Sequence, residues 1–166
     1  NSAKDVYVGL DQSNDSFSQT VVEGSLLSLY HFDEYKQPVK EKPNRINQVT
    51  LLAHAKSQVS SIRSAVSRGR KLASAVVTSR DLISQPSNTA TPSYLAGRAK
   101  ELAKSFGMSC KVLSTRDMKQ LGMGALLGVS KGSEEPPAFI ILEHHGGTKN
   151  DPPIVIVGKG ITFDTG

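Results

Sequence analysis

The segment Gly158-Lys159-Gly160-Ile161-Thr162-Phe163-Asp164 holds an amine and a carboxylate five positions apart, with a glycine on each side of the lysine. An aspartate carboxylate is a natural ligand for a hard cation. A lysine amine binds one only after losing its proton, because the ammonium has no lone pair. Lys159 and Asp164 can therefore form an ordinary salt bridge or face a shared metal, and the spacing alone leaves both readings open. The glycines let the backbone turn sharply or approach a ligand closely. The segment follows the apolar run Pro153-Ile154-Val155-Ile156-Val157. In open α/β sheets ligands bind outside the carboxyl ends of strands, so the address suits a site. A glycine-rich turn after a strand is also common in sequences without one.

Other candidates read more simply as scaffold. Gly128-Val129-Ser130-Lys131-Gly132-Ser133 lacks the Walker spacing between its first glycine and its lysine and is expected to be an ordinary loop. His144 and His145 are adjacent, so on a strand they face opposite ways and do not easily share one metal. Followed by Gly146-Gly147, they are expected to face solvent. Cys110 is the single cysteine, which excludes an internal disulfide and makes a reducing compartment the default. Within a strand it reads as a small core residue. No Ser/His/Asp or Cys/His arrangement emerges.

The elements that must carry Lys159 and Asp164 follow from apolar periodicity. Val6, Val8 and Leu10 alternate as in a strand, and Leu26, Leu27 and Tyr30 suit a short helix. Residues 37–44 are charged and turn-rich, which predicts an exposed loop. Ile46, Val49, Leu51 and Leu52 read as a buried strand. From Ser60 to Ser84, Ile62, Val66, Ala73, Val76, Val77 and Ile83 recur at helical steps, predicting a long amphipathic helix. Thr91 is a good N-cap before Pro92; Leu95, Ala99, Leu102 and Phe106 form the expected inward stripe, and Gly107 a left-handed cap. Met108–Leu113 reads as a strand, and Ser114 caps a short helix ended by Gly122. Residues 138–142 and 153–157 are continuous apolar runs, the pattern of strands buried on both faces in a largely parallel sheet. The chain is thus read as α/β.

With 166 residues, 37% hydrophobic and 21% charged, the chain is long enough for a buried core and is neither collagen, coiled coil nor disordered. No apolar stretch approaches the roughly 18 residues that span a bilayer. The net charge of +5 is uneven: residues 61–120 carry 11 basic and 3 acidic side chains, led by Arg63, Arg68, Arg70 and Lys71. A basic stripe suits phosphates and opens an alternative in which this segment is a nucleic-acid-binding or regulatory module. The simpler reading is a solvated helix face, because no aromatic residue lies among these four charges for base stacking.

Residues 158–166 resemble the metal-binding signature of the leucyl aminopeptidase (cytosol aminopeptidase) family. Three further stretches resemble it in the same order: Arg80-Asp81-Leu82 through Asn88 and Thr91-Pro92, Leu121 through Val129, and Lys131-Gly132-Ser133 before Pro136-Pro137. The resemblance covers roughly residues 60–166 and is weak before that. The resemblance implies part of an N-terminal α/β domain over 1–60, a linking helix over 61–84, and the beginning of a catalytic domain with a mixed, largely parallel sheet over 85–166.

The same resemblance implies a two-metal aminopeptidase that removes N-terminal residues, often leucine, from peptides. It is expected to be cytoplasmic and homohexameric, using manganese or zinc, or else magnesium or cobalt. Lys159 would ligate one metal and Asp164 would bridge both; Thr165 stands where many members have serine. The family's catalytic lysine and its remaining Asp and Glu ligands would lie beyond Gly166, so no catalytic residue is expected within the chain. The chain does not begin with Met and stops inside the signature, so both ends are expected to be cuts in a longer, active protein. A peptidase-like subunit that has lost its site is a third reading.

Overall fold

The computed structural model describes residues 4–10, 15–37, 46–148 and 150–162. The chain divides into two compact units, Asn1–Ser84 and Gln85–Gly166. Among the described residues each contains one pair of strands, parallel in the first and antiparallel in the second. The α/β class expected from the sequence is present.

In the first unit, β1 (Lys4–Leu10) shows the expected alternation, with Val6 and Val8 half-buried, Tyr7 exposed and Leu10 buried. It pairs in parallel with β2 (Ile46–Ala53), Asp5 opposite Gln48 through Leu10 opposite Ala53. Parallel strands need a crossover connection, and the helix α1 (Asp15–Ser28) lies between them in the chain. β2 is less buried than its apolar run predicts, with Ile46 38% and Leu52 48% exposed. Among the described residues β1 is its only strand neighbour, so β2 is an edge strand with little to cover it.

The long helix is α2 (Val59–Ser84), 26 residues introduced by a 3₁₀ turn over Lys56–Gln58. Ile62, Ala65, Gly69 and Ala73 are buried along one stripe, where α1 packs. Gly69 makes the close approach possible: a Cβ there would lie 2.8 Å from the Gln19 carbonyl oxygen. The stripe runs past its cover. Val76 is 39% and Ile83 83% exposed, because α1 has 14 residues against the 26 of α2. At the far end the Tyr30 hydroxyl donates to Asp81 Oδ1 at 2.8 Å, and the Arg80 guanidinium stands 5.5 Å from the Tyr30 ring centre.

In the second unit, α3 (Pro92–Phe106) begins as the sequence predicts. Thr91 Oγ1 accepts the Tyr94 N–H at 3.2 Å, and Gly107 closes the helix at φ 65°. The buried stripe is Ala96, Ala99 and Ala103, not the expected run through Phe106, which is 69% exposed. Small residues face inward here because β3 (Ser109–Leu113) and β4 (Phe139–Glu143) pack closely against this helix.

Between the strands, α4 (Thr115–Gln120) is capped by Ser114, whose hydroxyl accepts the Asp117 N–H at 3.3 Å. The Asp117 carboxylate in turn accepts the Ser114 N–H at 2.8 Å, a reciprocal capping box. Gly122 ends this turn at φ 68° and Met118 is fully buried beneath it.

A further helix, α5 (Gly124–Ser130), forms where the sequence reading assigned none. Two expectations about the sheet are corrected. β4 pairs antiparallel to β3, Cys110 opposite Leu142, and its Leu142 and Glu143 are exposed, so it is not a parallel strand buried on both faces. Residues 153–157 belong to no strand; Ile154, Val155, Ile156 and Val157 are 94%, 74%, 93% and 86% exposed. Among the described residues no neighbouring strand offers that run its ladder of N–H and C=O partners, without which an extended segment stays unpaired.

Candidate metal centre

Lys159 stands in the open, extended stretch that follows this run, exposed between Gly158 and Gly160. A Cβ at either glycine would meet nothing within 4 Å, so the glycines relieve no crowding here. Lys159 forms no ion pair among the described residues. Asp164 lies outside the described residues, as do Phe163, Thr165 and Gly166. The approach is shaped by a small turn: Asp151 Oδ2 accepts the Thr148 N–H at 2.8 Å, and the Asp151 N–H returns to the Thr148 carbonyl at 3.1 Å. Pro152-Pro153 follows, and the second proline biases Pro152 away from helical backbone.

The other sequence candidates stay apart from Lys159 in role. His144 and His145 are both exposed beyond β4, as expected; the His144 Nε2 lies only 2.6 Å from where a Cβ on Gly146 would sit. Cys110 is half-buried in β3 across from Leu142. Residues 128–130 form the last turn of α5 instead of the expected loop, Ser130 Oγ donating back to the Leu127 carbonyl at 3.0 Å, and Lys131 and Gly132 follow as a turn. Two shallow hollows of about 240 and 300 Å³ are lined by Lys111, Asp117 and Gln120, and by Ala96, Leu113 and Pro137; neither is lined by Lys159.

Two groups outside this segment titrate away from their ordinary values. Partial burial, and then the hydrogen bond to Asp81, hold the Tyr30 phenol above its ordinary value. Hydrogen bonds from the Ser114 hydroxyl and backbone N–H hold the Asp117 carboxyl below its own, with Lys111 adding a smaller push. Both are structural ties that sequence reasoning missed. Tyr30 and Asp81 are far apart in the chain, whereas the Ser-x-x-Asp spacing of 114–117 was a readable capping signal.

The donor chemistry of Lys159 and Asp164 fits a divalent metal in kind: one nitrogen and one hard anionic oxygen. It does not fit in number. Closed or catalytic sites supply three or four protein donors, and no group of three His, Cys, Asp or Glu side chains comes together among the described residues. Two protein donors make a partial site.

The family model for the catalytic domain of the cytosol aminopeptidase family matches residues 77–166, beginning inside α2. The chain is 42% identical over 161 residues to a probable cytosol aminopeptidase of Geotalea uraniireducens, covering 97% of this chain and 32% of that protein. It is 37% identical over 155 residues to a probable cytosol aminopeptidase of Alkaliphilus metalliredigens, covering 93% of this chain and 31% of that one. Among solved structures it is similar to the bottromycin maturation enzyme BotP in complex with Mn, at 30% identity and a TM-score of 0.69 over 84% of this chain and 29% of that one. The chain therefore spans about a third of the length of the curated relatives it matches. On a catalytic-domain match over more than half its length, the chain belongs to the cytosol aminopeptidase family.

Proposed function

We propose that residues 1–166 form part of a two-metal aminopeptidase that removes N-terminal residues, leucine among them, from peptides. The observation that supports this best is Lys159 between two glycines with Asp164 five positions on, inside the stretch that matches the family's catalytic domain. In this reading residues 1–60 belong to an N-terminal domain, 61–84 link the domains, and the catalytic domain begins at 85. The whole protein is a cytoplasmic homohexamer.

Lys159 would hold one metal through its neutral amine, and Asp164 would bridge two. Manganese or zinc suits this mixed nitrogen and oxygen set, with magnesium or cobalt as alternatives. When bound, such metals polarise a scissile carbonyl and bring hydroxide within reach of neutral pH. The chain's own residues do narrower work. The Asp164 carboxylate would supply the negative charge that such metals need. Gly158 and Gly160 leave the backbone on either side of Lys159 free to turn. Pro152 and Pro153 fix the direction from which the segment arrives.

With two of the needed donors, residues 1–166 alone are expected to hydrolyse no leucine amide and to bind metal weakly. Turnover by the purified 1–166 chain would contradict this. In the whole protein, Asp164→Ala is expected to lose bound metal and activity together, measured by metal analysis and leucine p-nitroanilide hydrolysis on the same sample. Activity retained at normal metal occupancy would remove the assignment.

A further inference from the structure

We propose that Asp151 is a positioning residue for Lys159, setting the direction from which its amine reaches a metal; the inference rests on the metal role given to Lys159 above. Two hydrogen bonds join Asp151 to Thr148. Asp151 Oδ2 accepts the Thr148 N–H at 2.8 Å, and the Asp151 N–H donates to the Thr148 carbonyl at 3.1 Å. One bond uses the side chain and the other the backbone, so the full link needs a side-chain acceptor at position 151.

Gly147 makes room for that acceptor. A Cβ at position 147 would stand 3.1 Å from Asp151 Oδ2 and 3.7 Å from Asp151 Cβ. The second is an ordinary separation for two carbons. The first crowds the one oxygen that the Thr148 N–H uses, so a side chain at 147 and the carboxylate at 151 compete for the same space.

Beyond Asp151 the next joints are stiff: proline rings fix φ at 152 and 153, and Pro153 steers Pro152 away from helical backbone. Among the described residues no hydrogen bond holds 152–162, so the Thr148–Asp151 pair is the last bonded point before Lys159. Six residue steps separate Pro153 from Lys159, up to about 20 Å of chain at about 3.3 Å each. A swing of about 10° at the turn therefore displaces the amine by about 3–4 Å, whereas a metal ligand must sit within about 0.2 Å of its bonding distance. The turn uses the oxygen at 151 as an acceptor, and a neutral amide oxygen accepts an N–H as well. Its charge is not what the positioning needs.

The test is isothermal titration of Mn²⁺ into the whole protein and its variants. Asp151→Ala is expected to weaken Mn²⁺ binding by about tenfold or more, the usual loss when support behind a metal ligand is removed. Asp151→Asn keeps an oxygen acceptor and is expected to bind like the parent. Gly147→Ala is expected to weaken binding too, and Gly147→Ala/Asp151→Ala no more than Asp151→Ala alone, because the crowded oxygen is then gone. Backbone NMR of the 166-residue chain gives a readout without metal. There the Thr148 amide should exchange with solvent fastest in Asp151→Ala and equally slowly in the parent and Asp151→Asn; the same rate in all three overturns the proposal. Parent-like affinity in Asp151→Ala, while Lys159→Met loses the metal, overturns it and leaves the peptidase reading standing. An equal loss in Asp151→Asn also overturns it, since charge and not position is then at work. Mn²⁺ held as tightly by Lys159→Met as by the parent removes the reading on which the proposal rests, and the proposal with it.

Discussion

Tyr30 and Asp81 are 51 positions apart in sequence, yet the phenol donates to the carboxylate at 2.8 Å. The bond ties the segment just beyond α1 to the last turn of α2. Arg80 reinforces it from the other side, its guanidinium near the Tyr30 ring and its Nη1 donating to the Leu27 carbonyl at 3.3 Å. Tyr30→Phe is expected to lower the urea midpoint, and the loss should disappear in an Asp81→Ala background that already lacks the acceptor. The folded-state phenol titrates above its ordinary value. Its contribution is therefore fully present below the unfolded pKa of about 10 and fades as pH rises through the folded one. A tyrosine absorbance titration checks this; a midpoint at or below the ordinary value would contradict it.

Glycine substitutions separate close approach from open space. Gly69→Ala puts a methyl 2.8 Å from backbone at Gln19, so α1 and α2 must part. Overpacking of this kind costs about 1–3 kcal/mol. Gly97 lies inside α3 with nothing within 4 Å of its would-be Cβ, and Gly97→Ala is expected to stabilise by about 0.5–1 kcal/mol. Urea unfolding of the two variants should give opposite signs.

Ser18 is completely buried in α1, and its hydroxyl has no hydrogen-bond partner among the described residues. A buried polar group left unpaired is unfavourable by about 1–3 kcal/mol. Ser18→Ala is expected to raise stability by about 1 kcal/mol, the reverse of what deleting a bonded hydroxyl does. A lower thermal midpoint in this variant would show that the hydroxyl is in fact satisfied.

Much of the scaffold was legible because it rests on local rules. Thr91, Pro92, Gly107, Ser114 and Gly122 announce where α3 and α4 begin and end through capping chemistry that needs no tertiary partner. The length of α2 followed from one unbroken period. What was not legible depends on neighbours. The same aliphatic residues that suggest a buried strand at Ile154–Val157 leave it open when no strand lies alongside, and β4 took an antiparallel partner that periodicity cannot choose. Phe106 pointed outward because alanines, not large side chains, suit the close packing of α3. For the candidate site, residue types and spacing named Lys159 and Asp164, while their mutual geometry depends on chain that surrounds them.

The Ser114–Asp117 box gives an acid-side prediction. Asp117 titrates below its ordinary value because Ser114 donates to it twice. A depressed carboxylate stabilises the fold above the unfolded pKa, and that contribution is lost as pH falls through the folded one. Ser114→Ala is expected to lose about 1 kcal/mol of cap energy at neutral pH. It should also move the Asp117 carboxyl, followed by NMR, back toward the usual aspartate range.

The central claim is that Lys159 and Asp164 share a metal. Anomalous scattering from crystals of the whole protein loaded with manganese or zinc tests it most directly. The account predicts a metal with the Lys159 amine nitrogen and an Asp164 oxygen both at about 2.0–2.2 Å. Metal bound elsewhere, with either side chain turned away from it, would contradict the account.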